Sequence, residues 1–302
     1  MILPNLKHLH YLTVLHQYQH FNKAANACFI SQSTLSSAIL KLEEQLGCQL
    51  IERDHKAFIF TMQGEAIVKM AQGLINDAAD LVSYGQAQGQ IDKGSITIGC
   101  IPTIAPYLLQ DFAQASQQAL PELALYFVEA TTENLLIQLQ QGQIDLAILA
   151  LPVKDHNFKS KILGKDAFYI AGNNNLVQRF KQSHDYQQLP EHSIFLLTQE
   201  NCLTEHALSA CKLADASRIH QFSASSLSTL VQMTAFHQGF TFLPAMAVNK
   251  GVGQAEGLTI EKLGDDVFRD IGMLWRPTSM RQQSFLRIGQ VIEQLLSEQQ
   301  RC

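Results

Sequence analysis

The 302-residue chain has no long hydrophobic run. The longest, Ile144 to Val153, is broken by Asp145 and falls short of the ~20 apolar residues that a membrane-spanning helix needs. The opening MILPNLKHLHYLTVLHQ has no basic n-region, no long apolar core and no small-residue cleavage site. A cytoplasmic protein without a membrane segment is expected, in a compartment that keeps thiols reduced. Six cysteines scattered over this length make no disulfide framework, so a disulfide here should be transient. Solenoid repeats, low-complexity tracts, phosphate-binding loops, dinucleotide fingerprints, HExxH and Gly-x-Ser-x-Gly are all missing, and no cofactor is expected. Charge is scarce too. At 16% charged residues, a net charge of −5 argues against a general nucleic-acid coat, although an average hides local patches. Residues 1–60 run the other way, with Lys7, Lys23, Lys41, Arg53 and Lys56 against four acidic residues.

What is present is enough apolar material, 46%, for two or more cores. Residues 1–60 read as helices with a small hairpin. Leu6, Leu9, Leu12 and Leu15 give the first helix an apolar face, and a short Ala-rich helix starts near Asn22. Ser31 is placed to cap a third, whose Leu35, Ile39, Leu42 and Leu46 form a helical stripe that Gly47 ends. A long helical pattern from Gln63 to about Tyr84 leads into a Gly/Gln linker, GQAQGQIDKG. From there, strands alternate with helices near 104–118, 132–142, 203–213, 226–237 and 280–299. That order predicts an α/β region with parallel sheets.

The exposed face of the third helix carries Gln32, Ser33, Thr34, Ser36, Ser37 and Lys41. Small polar side chains at a helix start can approach phosphates, and Gln can read an adenine edge in the major groove. A solvated helix face has the same composition, so the residues alone leave both readings open. The stretch AAxxCxxSQSTLSSAIxKLEEQLGxxLIER closely resembles the DNA-binding domain of LysR-type transcriptional regulators. Its Ala-Ala pair, Ser-Gln-x-x-Leu-Ser and Lys-Leu-Glu-x-x-Leu-Gly are specific in combination. The resemblance implies a winged helix-turn-helix over 1–60, with Arg53 near the DNA backbone. A linker and dimerisation helix over 61–93 and a two-lobed α/β domain like periplasmic binding proteins over 94–302 would follow. Lobe I would take about 94–165 and 268–302, and lobe II about 166–267. Ser33 stands where a proline is common, and Leu40 where a basic residue is frequent.

Within that family, residues 95–279 resemble the peroxide-sensing members, and Cys-Leu-x-Glu-x-Ala…Cys is the strongest match. The resemblance makes Cys202 the peroxidatic thiol and Cys211 the resolving one, in a pocket with Thr103, Thr132, Asn201, Glu205 and Arg276. Attack on an O–O bond requires a thiolate, which a helix N-terminus helps to stabilise, while Arg276 would steady developing negative charge. The two cysteines lie nine positions apart. Across an ideal helix that is roughly 13 Å at ~1.5 Å per residue, too far for a disulfide, so bonding would require the segment to refold. Asn201 replaces a histidine common in these sensors, and Glu200 and Glu205 would oppose thiolate formation.

The partners implied are double-stranded DNA operators, RNA polymerase, hydrogen peroxide as signal, a thiol reductant such as glutaredoxin, and further copies of the chain in a dimer or tetramer. An enzyme is not expected. Two rivals remain: a LysR-type regulator with a small organic effector in its interlobe cleft, and a thiol peroxidase, which the winged helix and linker argue against. Cys202 and His206 have a zinc-compatible spacing but supply two ligands of the usual four, so no metal is expected. Cys28, Cys48 and Cys100 read as packed core thiols.

Overall fold

Three helices and a two-stranded wing come first. In this computed structural model the described residues are 3–53, 58–86, 93–153, 157–183, 189–198, 203–204, 216–264 and 266–299. The chain divides into two compact units, one mainly Met1–Gly89 and the other mainly residues 90–302.

In the first unit, α1 (Leu6–Tyr18), α2 (Phe21–Ala27) and α3 (Gln32–Leu46) enclose a core of Leu9, Leu12, Leu15, Leu35, Ile39 and Leu42. Leu6, expected on that face, is half exposed. Ser31 caps α3 by accepting from the Thr34 N–H at 3.1 Å, one of the donors a helix start leaves unpaired. Gly47 ends α3 at φ 68°, a left-handed cap that glycine adopts without a steric cost. The Glu43 carboxylate accepts from the Leu50 and Ile51 N–H groups at 2.8 and 3.0 Å, tying α3 to the wing strands β1 (Ile51–Arg53) and β2 (Phe58–Phe60). The long helix α4 (Met62–Gln86) starts against the wing, where a Cβ on Gly64 would meet the Leu50 carbonyl oxygen. Val68 and Ala71 close the core; Met70, Leu74, Leu81 and Val82 stay exposed.

The second unit is a nine-stranded mixed sheet ordered β4-β3-β5-β11-β6-β9-β7-β8, with β10 paired to β6. Its strands are β3 (Gly94–Cys100), β4 (Leu123–Glu129), β5 (Leu146–Leu151), β6 (Lys159–Gly172), β7 (Ile194–Leu197), β8 (Ile219–Ala224), β9 (Phe240–Pro244), β10 (Thr259–Lys262) and β11 (Phe268–Trp275). Pairing is parallel in the groups β4-β3-β5 and β8-β7-β9, as expected. It is antiparallel wherever β6 or β11 takes part, so the α/β sheet is mixed, with the expected parallel pairing confined to the two groups. Those two strands carry the chain from one group to the other and back, and a returning strand must run against its neighbour.

Two cores sit along this sheet. One combines Ile96–Ala150 residues with Leu163 and Met246 and with Ile271, Met273, Phe285, Ile288, Ile292 and Leu296. The other lies between Phe168 and Leu263. Helices α5 (Ala105–Ala119), α6 (Thr132–Gln140), α7 (Asn174–Ser183), α8 (Leu227–Phe236), α9 (Ala245–Asn249) and α10 (Gln282–Gln299) cover it. Fully burying Phe285 or Ile292 on α10 contributes roughly 1.5–3 kcal/mol each. Of the helix expected near 203–213, Leu203 and Thr204 are helical and the rest lies outside the described residues.

Candidate functional site

Gln32, Ser33, Thr34, Ser37 and Lys41 all lie exposed on α3, with Ser36 half-buried. The Ser31 hydroxyl contacts both the Ser33 and Thr34 hydroxyls, at 2.9 and 2.7 Å, so the first turn presents an ordered hydroxyl cluster. Arg53 reaches from the wing to donate to Ser36 Oγ at 3.0 Å, and its guanidinium lies 5.6 Å from the centre of the Phe21 ring. That fixes a cation beside the exposed edge of α3. A groove of about 410 Å³ between the start of α1 and α3 adds Asn5, Lys7, His8 and Tyr11 to this surface. The sequence reading missed those four; a basic residue one turn inside a capped helix was the available signal. Phe29, in the turn between α2 and α3, has φ 55° and is 96% exposed.

The second site forms at the C-terminal edge of β3. There the chain leaves Cys100, passes Thr103 and enters α5. The strand order reverses beside β3, and in open α/β sheets such an edge is the general place for a ligand crevice. Thr103 is buried, and Arg269 from the start of β11 donates to its hydroxyl oxygen at 2.8 Å and to its carbonyl at 3.0 Å. The same guanidinium holds Asp166 of β6, with Nε and Nη2 at 3.0 and 2.9 Å from Oδ2. Asp166 Oδ1 in turn accepts from the Met246 N–H at 3.0 Å. Arg269 and Asp166 are both essentially fully buried, a cost that is tolerable because each charge is paired and hydrogen-bonded. Burial pushes the Asp166 carboxyl up; the Arg269 guanidinium and the Met246 and Ala245 N–H groups pull it back.

A hydroxyl oxygen that accepts from a guanidinium becomes a better donor through its own proton, because hydrogen bonds in a chain polarise one another. With its oxygen accepting from Arg269, the Thr103 hydroxyl keeps its own proton for donation. Thr132 begins α6, just past the β4 edge that pairs with β3, and its Oγ1 is buried with no hydrogen-bond partner among the described residues. Burial, reinforced by Glu129, pushes the Cys100 thiol far above its usual range despite Arg269, so it is an unreactive packed thiol. Cys28 and Cys48 are half-buried, and Cys48 packs against the core of the first unit.

Arg276 is elsewhere. It donates to the Leu139 and Ile144 carbonyls at 2.9 and 2.7 Å and lies 3.7 Å from Asp145. Asp145 and Ile144 precede β5, which runs antiparallel to β11, so Arg276 sits at the sheet edge opposite Thr103. Seven residues at ~3.3 Å per residue place roughly 23 Å between the two arginines. The arginine beside Thr103 is Arg269, which the sequence reading missed. An arginine directly before the apolar run of a strand was the signal that could have found it.

The other expected site residues, Asn201, Cys202, Glu205 and Cys211, lie outside the described residues. Thr198 follows β7 on one side of them. Leu203 and Thr204, which stand between Cys202 and Glu205 in the chain, are buried, and Thr204 Oγ1 donates to the Leu197 carbonyl at 2.9 Å. Among the described residues, no group of three His, Cys, Asp or Glu is placed to hold a metal ion, and no helix is long and apolar enough to cross a membrane.

Residues 6–65 match the bacterial regulatory helix-turn-helix protein, lysR family, and residues 89–298 match the LysR substrate binding domain. The chain is a LysR-type transcriptional regulator. This family acts through DNA binding, not as an enzyme. Among its relatives, the regulator is 32% identical over 294 residues to the HTH-type transcriptional regulator EstR of Acinetobacter baylyi, covering 97% of each chain. It is equally 32% identical over 288 residues to the DNA-binding transcriptional dual regulator OxyR of Escherichia coli, covering 95% of this chain and 94% of that one. The reduced regulatory domain of OxyR2 from Vibrio vulnificus is 45% identical. It covers 68% of this regulator and 96% of its own chain, with a TM-score of 0.64. The regulator is thus OxyR-like.

Proposed function

We propose that this regulator senses hydrogen peroxide through Cys202 and transmits the signal by a reversible Cys202–Cys211 disulfide. The supporting observation is the Thr103 hydroxyl, polarised by Arg269 at a strand edge where a small oxygen ligand would bind. Similarity to proteins named OxyR supports it further. The Cys202 thiolate attacks one peroxide oxygen and the O–O bond breaks; the leaving hydroxide takes a proton to become water. Thr103, with Thr132, donates to the peroxide. The Cys202 sulfenic acid then condenses with the Cys211 thiol, releasing a second water. Asn201 and Glu205 flank the thiol and tune its ionisation.

Oxidation would rearrange the segment between the cysteines and, through it, the assembly on DNA. The exposed Met70, Leu74, Leu81 and Val82 of α4 would be covered by a second copy, two such dimers forming a tetramer. Gln32 and its neighbours would read the operator in the cytoplasm, with RNA polymerase as partner and a thiol reductant such as glutaredoxin resetting the disulfide. The second reading is a LysR-type regulator that binds a small organic effector in the interlobe cleft; the identity to EstR, a regulator whose name carries no peroxide, equals that to OxyR.

Peroxide titration with disulfide mapping by mass spectrometry separates the two. Cys202→Ser should abolish the fast reaction, and Cys211→Ser should stall as a sulfenic acid trapped by dimedone. Oxidation that never joins these two cysteines leaves the organic effector as the better reading.

A further inference from the structure

The turn that leads from α2 into α3 holds a residue that the fold does not need. Two backbone bonds close the end of α2: the Ile30 N–H donates to the Ala25 carbonyl at 3.0 Å, and the Phe29 N–H to the Asn26 carbonyl at 3.1 Å. This pair of bonds sets Phe29 in the left-handed region, at φ 55°. Glycine is usual at such a position and asparagine the next choice, because a Cβ there crowds the neighbouring carbonyl. The other described non-glycine residues at positive φ, Gln19, His192 and Gln238, all have polar side chains. A bulky phenylalanine is strained here.

Nothing inside the chain offsets that strain. A helix end of this kind is ordinarily sealed by an apolar contact from the following residue, and Ile30 already makes it, packing against the core that contains Ala25. Phe29 itself is 96% exposed, more than any other large apolar residue described. A side chain held under strain that touches almost nothing of its own chain acts on something outside it.

Its place in the fold names the partner. Phe29 stands two residues before Ser31, the N-cap of α3, so the two Cα atoms lie within about 7 Å of each other. A duplex that admits the Ser33 and Thr34 hydroxyls of the first turn comes within reach of this ring. An aromatic ring has neither charge nor donor for a phosphate. What suits it in the major groove is the 5-methyl group of thymine.

We propose that Phe29 is a specificity residue of this regulator, packing its ring on a thymine methyl at the edge of the sequence that α3 meets. The proposal rests on the polar face of α3 lying against DNA, and is independent of peroxide sensing.

The probe is a duplex selected by the full-length protein from a random-sequence pool, resynthesised with uracil in place of each thymine in turn. Uracil lacks only the methyl. At one position it should weaken the wild type about fourfold, the ordinary worth of burying one methyl-sized group. Phe29→Asn should bind the thymine duplex more weakly than the wild type does and be indifferent to uracil at that position. Phe29→Asn and Phe29→Gly, both suited to a left-handed turn, should unfold at the wild-type temperature or above it. Wild-type affinity in Phe29→Asn, while Gln32→Ala weakens binding, overturns the role of Phe29 alone. Wild-type affinity in both variants overturns the α3 face, and Phe29 with it. Uracil effects that persist undiminished in Phe29→Asn at every position assign the methyls to other residues and overturn the contact. A lower unfolding temperature in Phe29→Asn means that the ring serves the fold, and overturns it as well.

Discussion

The Arg269 guanidinium donates to Thr103 Oγ1 at 2.8 Å while its other nitrogens grip Asp166, so one buried cation joins β11, β6 and the edge of β3. Removing it leaves Asp166 as an unpaired buried charge, which typically costs about 3–5 kcal/mol. Arg269→Ala should therefore lower stability by that order in urea unfolding. Arg269→Lys should keep more stability yet still slow Cys202 oxidation, because an ammonium cannot serve Asp166 and both Thr103 oxygens at once.

Arg276 gives the opposite pattern. Arg276→Ala deprives the Leu139 and Ile144 carbonyls of a donor and should cost roughly 1–3 kcal/mol. Its oxidation rate, measured at a temperature where the variant is folded, should match the wild type. A tenfold loss of rate in folded Arg276→Ala would return this residue to the sensor site.

For DNA, Gln32→Ala should flatten discrimination among operator variants by about 1–3 kcal/mol at one base pair. Lys41→Ala should weaken all sequences alike and reduce the salt dependence by about one phosphate contact. Arg53→Ala should do the same and also release Ser36. Fluorescence anisotropy over a salt series distinguishes the two behaviours.

A histidine cluster gives a pH dependence. His220 stacks on Phe195 with ring centres 4.3 Å apart, and His237 lies 5.2 Å away. Its pKa is lowered by burial, then by His237 and His192, and its Nδ1 accepts the Phe222 N–H at 2.9 Å, a bond that protonation there would break. Because the unfolded chain binds that proton more readily, stability should fall as pH drops below about 6.5. His220→Asn, whose Oδ1 can take over the Phe222 N–H, should lose less stability between about pH 7.5 and about pH 5.5 in urea titrations. Equal losses in both proteins would remove His220 as the cause.

Cys100 makes a control for the thiol chemistry. It is fully buried, and its pKa is raised, so iodoacetamide should label it only after unfolding. Cys100→Ala should react with peroxide at the wild-type rate.

Much of the architecture was legible because local signals agreed with one another. Ser31 and Gly47 bracket α3 at the residues their cap chemistry requires, and the strands of the two parallel groups are short apolar runs bounded by turns. The first half of β6 was not legible: Lys159, Ser160, Lys161 and Ile162 are exposed or part-buried on both faces, so they carry no apolar alternation. Helix α7 was missed because it opens on asparagines, although Val177 and Phe180 are buried. Thr103 could be read from its place after a strand. Which arginine would meet it could not, since that depends on the direction in which β11 returns, and a sequence does not state which end of a strand lies beside which loop.

That return also sets an order of events during synthesis. The core between Phe168 and Leu263 is drawn from one continuous stretch and can close soon after the ribosome releases it. The other core begins earlier in the chain but needs Ile271 and Met273 of β11 and then Phe285 to Leu296 of α10, almost at the C-terminus. Strands β3, β4 and β5 therefore wait, translated and incomplete, while the later half of the domain folds. A nascent chain stalled before residue 268 would present their apolar faces to chaperones with the Thr103 edge still unbuilt.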